Sequence, residues 1–223
     1  MKKITQFPDA LTHLTVNSKY QWNLNHLPIH LKELHLCSNV NVDNWPPNLE
    51  TVHFYGRFNQ SLKCIPNTVR DLKLGEYDCD ILQDDFPTSL QTLNLGDATH
   101  FKFTHFPSTL TSLHLGSHYN EKIHAFPNSL INLYLEHYNY ESLDDILPSG
   151  LKELSLGYGY THKLRHLPPC LTSLYVGWSY NHVLLDKSLF PTTLLRLYVD
   201  KYGQNHDYLT QNDVPDGCAI YHL

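Results

Sequence analysis

The strongest constraint on this chain is a short motif that recurs about every twenty residues. Over residues 86–96 it reads FPTSLQTLNLG, and closely related sequences begin again at Phe106 and at Phe126. A fixed internal period of this length is the signature of a solenoid, in which successive repeats stack on one another. The period therefore predicts a stack of similar coils rather than a globular fold of irregular topology.

Each repeat contains a proline that follows an apolar residue, and apolar residues recur at the third, sixth and eighth positions after it. The prolines in register are Pro8, Pro28, Pro46, Pro66, Pro87, Pro107, Pro127, Pro148, Pro168 and Pro191, with a degraded last copy at Pro215. The third position holds Leu11, Leu31, Leu49, Val69, Leu90, Leu110, Leu130, Leu151, Leu171 and Leu194. Because a scattered hydrophobic pattern does not keep such a register, these columns indicate one repeated structure.

The spacing of the apolar columns predicts a short strand in every repeat. The sixth and eighth positions are two residues apart, so in an extended chain they point to one face while the residues beside them point to the other. Stacked copies about 4.8 Å apart would form a parallel sheet backed by leucine ladders. A helix is conceivable from the Leu-x-x-Leu spacing, but proline and glycine at both ends leave too little room. The return segments should be loops or short 3₁₀ turns, since proline lacks a backbone donor.

The run over residues 58–75, FNQSLKCIPNTVRDLKLG, closely resembles the FNIP repeat, a short relative of the leucine-rich repeat. The pairs Tyr119-Asn120 and Tyr180-Asn181 resemble the same aromatic-Asn signature with Tyr in place of Phe. This resemblance covers nearly the whole chain. It implies a leucine-rich-repeat-like repeat solenoid with a parallel β-sheet on its concave side and loop or 3₁₀ returns. It offers no catalytic residues to transfer.

The resemblance also implies a source and a compartment. FNIP repeats occur in many copies in social amoebae and in giant viruses of amoebae, so a viral protein in the host cytoplasm is expected. Many viral members carry an F-box segment before the repeats. Here Phe7-Pro8 already opens the first copy, so we expect no F-box and no inherited role in ubiquitin-ligase recruitment.

The repeat runs without a break, which predicts a single solenoid domain over residues 1–223 with ten to eleven FNIP-like repeats. Residues 200–223 are less regular and are expected to form a C-terminal repeat and cap. Their first part, 200–213, is polar and longer than the usual return, and we expect the segment that follows Val214 to be a final strand.

Composition excludes several partners and compartments. The net charge of −6 and the sequence pI of about 6.2 provide no basic surface for nucleic acid or for an anionic membrane. Five cysteines without a CxxC pattern predict reduced thiols, and the N-terminus lacks the apolar segment of a signal peptide. We therefore expect a cytoplasmic protein. Its sixteen histidines make the charge sensitive to pH near neutrality.

The side chains that point away from the leucines form the exposed face of the predicted sheet. Its middle row is Thr15, His35, His53, Lys73, Asn94, His114, Tyr134, Ser155, Tyr175, Tyr198 and His222. Beside it runs the row His13, Glu33, Thr51, Asp71, Thr92, Ser112, Asn132, Glu153, Ser173 and Arg196. Tyrosine and histidine are typical of interfaces, although any exposed sheet face is polar in order to be solvated. The predicted binding residues are His35, His53, His114, Tyr134, Tyr175 and Tyr198.

The sequence offers no persuasive catalytic or metal site. His35 and His53 share a position on adjacent strands, yet no third ligand is aimed at them, so we expect no metal. His162 and His166 are four apart but precede Leu-Pro-Pro, which indicates a loop. The acidic pairs 84–85 and 144–145 are expected to cap turns. Because catalytic and nucleotide-binding motifs are absent, we predict neither an enzyme nor a cofactor.

The leading hypothesis is a scaffold that binds a protein partner, of unknown identity, through the exposed sheet face. The alternative is a structural or self-assembling repeat protein whose terminal strands stack end to end while the sheet face is idle. A third hypothesis is that the aromatic face binds a sugar or another small ligand. The sequence alone leaves all three open.

Overall fold

A computed structural model of the chain describes residues 3–4, 6–17, 21–22, 24–37, 41–58, 60–76, 80–82, 85–98, 101–102, 105–182, 184, 186–203, 205 and 207–223. The contacts within the chain divide it into two compact units. We call Met1–Phe103 the N-terminal unit and Thr104–Leu223 the C-terminal unit. Each unit is a parallel β-solenoid of the leucine-rich-repeat type, as the repeat predicted. That both units form a single domain remains a prediction.

The described part of the N-terminal unit contains nine short strands. Five of them pair in parallel in the order β2, β4, β5, β6, β8. These are β2 (His13–Val16), β4 (Glu33–Leu36), β5 (Thr51–Phe54), β6 (Asp71–Lys73) and β8 (Thr92–Asn94). Two further parallel pairs lie in the return segments and were not predicted. They are β1 (Lys3–Ile4) with β3 (Gln21–Trp22), and β7 (Ile81–Leu82) with β9 (Phe101–Lys102).

Among its described residues, the C-terminal unit has six strands that pair in parallel in sequence order. They are β10 (Ser112–His114), β11 (Asn132–Tyr134), β12 (Glu153–Ser155), β13 (Ser173–Val176), β14 (Arg196–Val199) and β15 (Ala219–His222). The predicted final strand after Val214 is therefore present as β15. The return segments hold the 3₁₀ helices Lys187–Leu189 and Gln211–Asp213, and Leu62–Cys64 is their counterpart in the N-terminal unit.

A tight turn precedes the main-sheet strand in every repeat. In all eleven copies the N–H of the third residue after the proline donates to the proline carbonyl, at 3.0–3.3 Å. The series runs from Leu11 bonded to Pro8 through to Cys218 bonded to Pro215. The degraded last copy therefore closes the same hydrogen bond as the regular ones, although Gly217 adopts a positive φ of 84° there and the corresponding residues of the other copies do not. The proline fixes its own φ without losing a donor that this turn needs.

The three apolar columns form the core of each unit. From the second repeat to the tenth, their side chains are at most 2% exposed. The sixth position shows the ladder directly, since Leu34 pairs with Val52 in one unit and Leu133 pairs with Leu154 in the other. Burying a leucine side chain contributes roughly 1.5–3 kcal/mol, so these ladders provide most of the driving force for stacking.

The glycines after several strands permit very close contact between neighbouring coils. A Cβ added at Gly177 would lie 1.6 Å from the carbonyl oxygen of Gly157, and one at Gly75 would lie 2.7 Å from that of Phe54. Gly96 and Gly157 also adopt positive φ, which residues with a Cβ rarely adopt. The close backbone contacts and the positive φ values therefore explain why glycine is found at these positions.

Two further findings concern membrane-spanning helices and cysteines. Over the described ranges, no helix has the length and apolar character needed to cross a bilayer. The described cysteines Cys37, Cys64, Cys170 and Cys218 are free thiols, whereas Cys79 lies outside the described residues.

Candidate functional site

The outward face of the N-terminal sheet carries a cluster of histidines and one tyrosine. The register places His35 beside His53, and their rings stack with centroids 4.8 Å apart and planes 10° from parallel. Tyr55 packs edge-on against both rings and its hydroxyl lies 3.3 Å from His53 Nδ1. The Lys73 ammonium lies 5.2 Å above the Tyr55 ring. These side chains therefore fill the face by contacting one another.

Carboxylates border this histidine cluster. His53 Nε2 lies 3.2 Å from Asp71 Oδ1, and His13 Nε2 lies 3.2 Å from Glu33 Oε1. His35 Nε2 is buried and has no hydrogen-bond partner among the residues that the structure describes. Burial, followed by the neighbouring His53, lowers the pKa of His35, which favours a neutral ring at neutral pH. No group of three or more metal-ligating residues occurs in the described part of the chain.

The same row in the C-terminal unit is mostly tyrosine. The register aligns His114, Tyr134, Ser155, Tyr175, Tyr198 and Tyr221. The prediction of His222 in this row is wrong by one residue, because Ala219 pairs with Arg196 and the last strand therefore starts one residue earlier relative to its proline. At the two ends of the row, His114 stacks on Tyr134 at 4.1 Å and Tyr198 on Tyr221 at 4.8 Å.

A notch opens where Ser155 interrupts the aromatic row. We call this cavity of about 300 Å³ the Ser155 slot; it is lined by Tyr134, Glu153, Leu154, Ser155, Ser173, Tyr175, Arg196 and Tyr198. The slot is a product of register, because Ser155 lies between Tyr134 and Tyr175 on the central strand of three. A small side chain between two large ones leaves a gap open to solvent.

Carboxylates hold the two tyrosines that form the slot walls. The Tyr134 hydroxyl donates to Glu153 Oε2 at 2.7 Å, and the Tyr175 hydroxyl donates to Asp200 Oδ2 at 3.4 Å. Arg196 Nη2 lies 3.9 Å from Glu153 Oε1. Burial first, and then the adjacent carboxylate, raises the pKa of each tyrosine to about 12. Both phenols are therefore neutral hydrogen-bond donors at neutral pH.

Exposed aromatic residues follow the strands of the same unit. Tyr158, Trp178 and Tyr202, which we call the rim aromatics, are 50%, 54% and 78% exposed. Tyr158 is close enough to Tyr175 to contribute to the raised pKa of that phenol. Sequence reasoning missed these residues. The signal was present, since Tyr158 and Trp178 each follow a glycine directly after the strand column.

All six predicted binding residues are half-buried on the outward faces. The structure brings them together in three groups. His35 stacks on His53, His114 stacks on Tyr134, and Tyr134, Tyr175 and Tyr198 line one cavity. The predicted contact tyrosines therefore share a site. The histidine pair belongs to a separate cluster in the N-terminal unit.

The aromatic-Asn signature has a structural role in the C-terminal unit. Its tyrosines, Tyr119, Tyr138 and Tyr180, are at most 1% exposed, as is Tyr160, which holds the same column but precedes Thr161. The side-chain oxygens of Asn120 and Asn139 accept the backbone N–H groups of Asn139 and Thr161 in the following coils, at 3.0 and 2.9 Å. The signature therefore joins coils rather than contacting partners. Asn59, from the run that carried the resemblance, lies outside the described residues.

The remaining polar candidates also have structural partners. Asp144 Oδ1 accepts the N–H of Arg165 at 2.9 Å, and Asp85 lies 3.5 Å from the Lys63 ammonium. The Asp144 contact agrees with the expected capping role, whereas the Asp85 contact is an ion pair with a side chain; Asp84 lies outside the described residues. His162 and His166 are in a loop, as predicted.

Comparison with known proteins supports the fold. The FNIP repeat model matches residues 58–98 and 119–159, which confirms the predicted resemblance in those segments. The chain is similar to CroV588, described as a novel circular leucine-rich-repeat protein, with a TM-score of 0.64 and 22% identity. It is also similar to YopM from Yersinia enterocolitica WA-314, with a TM-score of 0.50 and 18% identity.

The extent of these matches is unequal. The match to CroV588 covers 100% of this chain but only 41% of the CroV588 chain. The match to YopM covers 96% of this chain and 51% of the YopM chain. The sequence matches none of the curated proteins with which it was compared. These comparisons establish a leucine-rich-repeat-like solenoid.

Proposed function

We propose that this chain is a scaffold that binds a protein partner through the outward sheet face of the C-terminal unit. The observation that supports the proposal is an open, aromatic-walled slot beside exposed aromatic side chains. Tyr134, Tyr175 and Tyr198 would contact the partner at the centre, with His114 at the edge of the row. The rim aromatics would close the border of the interface.

The chemistry of this surface fits protein recognition. Interface hot spots are enriched in Trp, Tyr and Arg, and they cluster in pockets that a ring of other contacts shields from water. The slot supplies a pocket with tyrosine walls and Arg196 in its lining. Trp178 and Tyr202 supply large exposed contacts. The outward sheet of repeat proteins is also a common docking surface.

The histidine cluster of the N-terminal unit contributes less in this proposal. His35 and His53 already stack on each other, and Asp71 and Lys73 occupy the remaining polar edge. A partner would have to replace those contacts. His35 and His53 are therefore secondary contact residues.

A displayed library of random peptides, selected on the immobilised chain, tests the proposal. We expect the selected peptides to bind Tyr175→Ala and Trp178→Ala at least about tenfold more weakly, since an interface anchor contributes above about 1.4 kcal/mol. Tyr208→Ala is the matched control, because Tyr208 is 60% exposed and does not line the slot. Its affinity should stay within about twofold of the parent chain.

The same peptide-binding measurement, together with light scattering, distinguishes partner binding from the alternative function of self-assembly. Peptides that bind Tyr175→Ala and Trp178→Ala as well as the parent chain would refute the proposed face. A mass that rises with concentration in light scattering, and falls when charges are introduced on β2 or β15, would instead support end-to-end self-assembly. Circular dichroism of each variant verifies that loss of binding is not loss of folding.

A further inference from the structure

We infer that the Ser155 slot binds the guanidinium group of an arginine side chain from the partner, held between the rings of Tyr134 and Tyr175. This inference rests on the proposed function and specifies the chemistry of its partner. It predicts that the segment docking on this face is basic at the point of contact. Three features of the molecule support this inference: the width of the slot, the charges beside it, and the lysine ammonium groups that lie over other tyrosine rings.

The width of the slot suits one planar group. Tyr134 and Tyr175 lie on the two strands that flank β12, so their backbones are about two strand spacings, or 9.6 Å, apart. Stacking contacts of about 3.5–4 Å on each ring leave space for a single flat group between them. Elsewhere in the row the neighbouring ring fills this space, as His114 does against Tyr134.

The charge around the slot favours a cation. Glu153 and Asp200 each accept a tyrosine hydroxyl, and Arg196 is the only cation among the lining residues. Within the lining Glu153 and Arg196 offset each other, so the excess negative charge beside the ring faces comes from Asp200, which lies outside the lining and accepts the Tyr175 hydroxyl. A carboxylate ligand would be repelled, whereas a cation would be attracted both by the rings and by the acids.

The shape of the site distinguishes arginine from lysine. A guanidinium is flat, stacks on aromatic faces and still presents N–H donors at its edge. Lodged between two rings, it could direct those donors towards Glu153 and Asp200. An ammonium is a compact, strongly hydrated charge that cannot fill a flat gap. We therefore expect lysine to bind more weakly than arginine.

Other tyrosines of this chain already pair with cations. Lys73 lies 5.2 Å above the ring of Tyr55, on the corresponding face of the N-terminal unit, and Lys201 lies 5.2 Å above Tyr202. Among the described residues, neither Tyr134 nor Tyr175 has a cation recorded over its ring. Arg196, the nearest candidate, is directed at Glu153. The slot is therefore the place where an external cation would complete a pattern that the chain uses internally.

The test uses the whole chain and two short peptides that differ in charge. The probes are acetyl-Gly-Ser-Arg-Ser-Gly-amide and the same peptide with citrulline, the neutral analogue of arginine. Ring resonances of ¹³C-labelled tyrosines report binding at the slot by NMR titration. We expect the signals of Tyr134 and Tyr175 to shift with the arginine peptide and to require at least about tenfold more citrulline peptide, because the cation is lost.

Substitutions locate the site. Ser155→Leu fills the slot and should abolish the shifts, whereas Asn132→Leu adds the same side chain on the neighbouring row, outside the cavity. Glu153→Gln removes one carboxylate and should weaken binding at least threefold, about 0.6 kcal/mol. Its control is Glu136→Gln, which changes an exposed acid of the same unit that does not line the slot. If Ser155→Leu fails to fold, the pair of glutamate variants still decides the result.

Several outcomes would overturn the inference. Equal binding of the arginine and citrulline peptides would exclude a cation site, and unchanged shifts in Glu153→Gln would exclude its acidic wall. Absence of shifts with the arginine peptide would refute the inference even where library peptides still depend on Tyr175. That combination would leave the proposed function standing, whereas library peptides that ignore Tyr175 and Trp178 would remove the function itself.

Discussion

The outward row of the N-terminal unit is centred on two histidines, His35 and His53, that stack on each other, whereas in the C-terminal unit it consists mostly of tyrosines that a serine interrupts. Composition follows the same division. All but three of the fifteen tyrosines belong to the C-terminal unit, and the three are Tyr20, Tyr55 and Tyr77. One face is closed by its own contacts and the other presents a slot.

The inward side does not show this difference. Leucines and valines of the sixth position are at most 1% exposed in both units, from Leu34 to Leu197. The proline turn is also the same in both. The comparison therefore teaches that the fold depends on the inward columns and the turns, and not on the outward row. The outward row is free to carry a satisfied cluster in one place and a binding surface in another.

The largest expected effect tests whether the two cores are equivalent. Leu72→Ala in the N-terminal unit and Leu133→Ala in the C-terminal unit each remove a side chain that is fully buried. We expect each to lower the free energy of unfolding by about 2–5 kcal/mol, because a cavity adds to the lost burial. Urea unfolding followed by circular dichroism measures it.

The control for these variants is Leu195→Ala, because Leu195 is 54% exposed. It should change stability by less than about 0.5 kcal/mol. A small effect at Leu72 beside a large one at Leu133 would show that the units do not share one kind of core.

A smaller effect concerns the buried aromatic column, where the two units differ by a hydroxyl. Tyr160 accepts the N–H of Leu143 at 3.0 Å, while its counterpart in the N-terminal unit is Phe58. Tyr160→Phe should cost about 1–3 kcal/mol, since it leaves a buried donor without its partner. Hydrogen exchange at the Leu143 amide should become faster. Tyr208→Phe, at an exposed site, should leave stability and that amide unchanged.

The smallest effect is a pH dependence restricted to the histidine face. Burial and His53 lower the pKa of His35, although Glu33 and Asp71 oppose this and His13 reinforces it. The unfolded chain therefore binds a proton on His35 at a higher pH than the folded chain does. The stability that neutral His35 contributes is complete above its unfolded pKa of about 6.5, and is lost as the pH falls from there towards the lowered folded value.

This dependence is measured as a difference between variants, because the other histidines also titrate. Urea unfolding between pH 7.5 and 5 should show a shallower loss of stability in His35→Gln than in the parent chain. A steeper loss in His35→Gln would reverse the assigned sign.

Much of the fold could be predicted because its cause is local in the sequence. Leu93, Leu113 and Leu133 recur at one period, and a period translates directly into a ladder. The return strands Ile81–Leu82 and Phe101–Lys102 could not be predicted, since two-residue pairs leave no periodic pattern. The displacement of Tyr221 into the row also escaped, because the last strand shifts by one residue relative to its proline.

The site was predictable only in part. Outward positions followed from strand alternation, so Tyr134, Tyr175 and Tyr198 were identified correctly as one row. The slot exists because the side chain of Ser155 is small. A single serine between tyrosines does not by itself predict a cavity from the sequence. Trp178 lies beyond the strand, where alternation no longer specifies direction. Side-chain pairing, such as Tyr175 with Asp200, depends on rotamers that spacing does not determine.

The proline turn makes each coil exchangeable, because its hydrogen bond does not depend on the side chains between the proline and the strand. Its hydrogen bond uses only backbone atoms, and it closes equally around the Thr-Ser that follows Pro87 and the Asp-Gly that follows Pro215. Such a chain can gain, lose or exchange a whole coil without any change in the turn that connects it to its neighbours. Diversification would then proceed one coil at a time, each exchange replacing a single rung of the outward face while the neighbouring rungs keep their side chains.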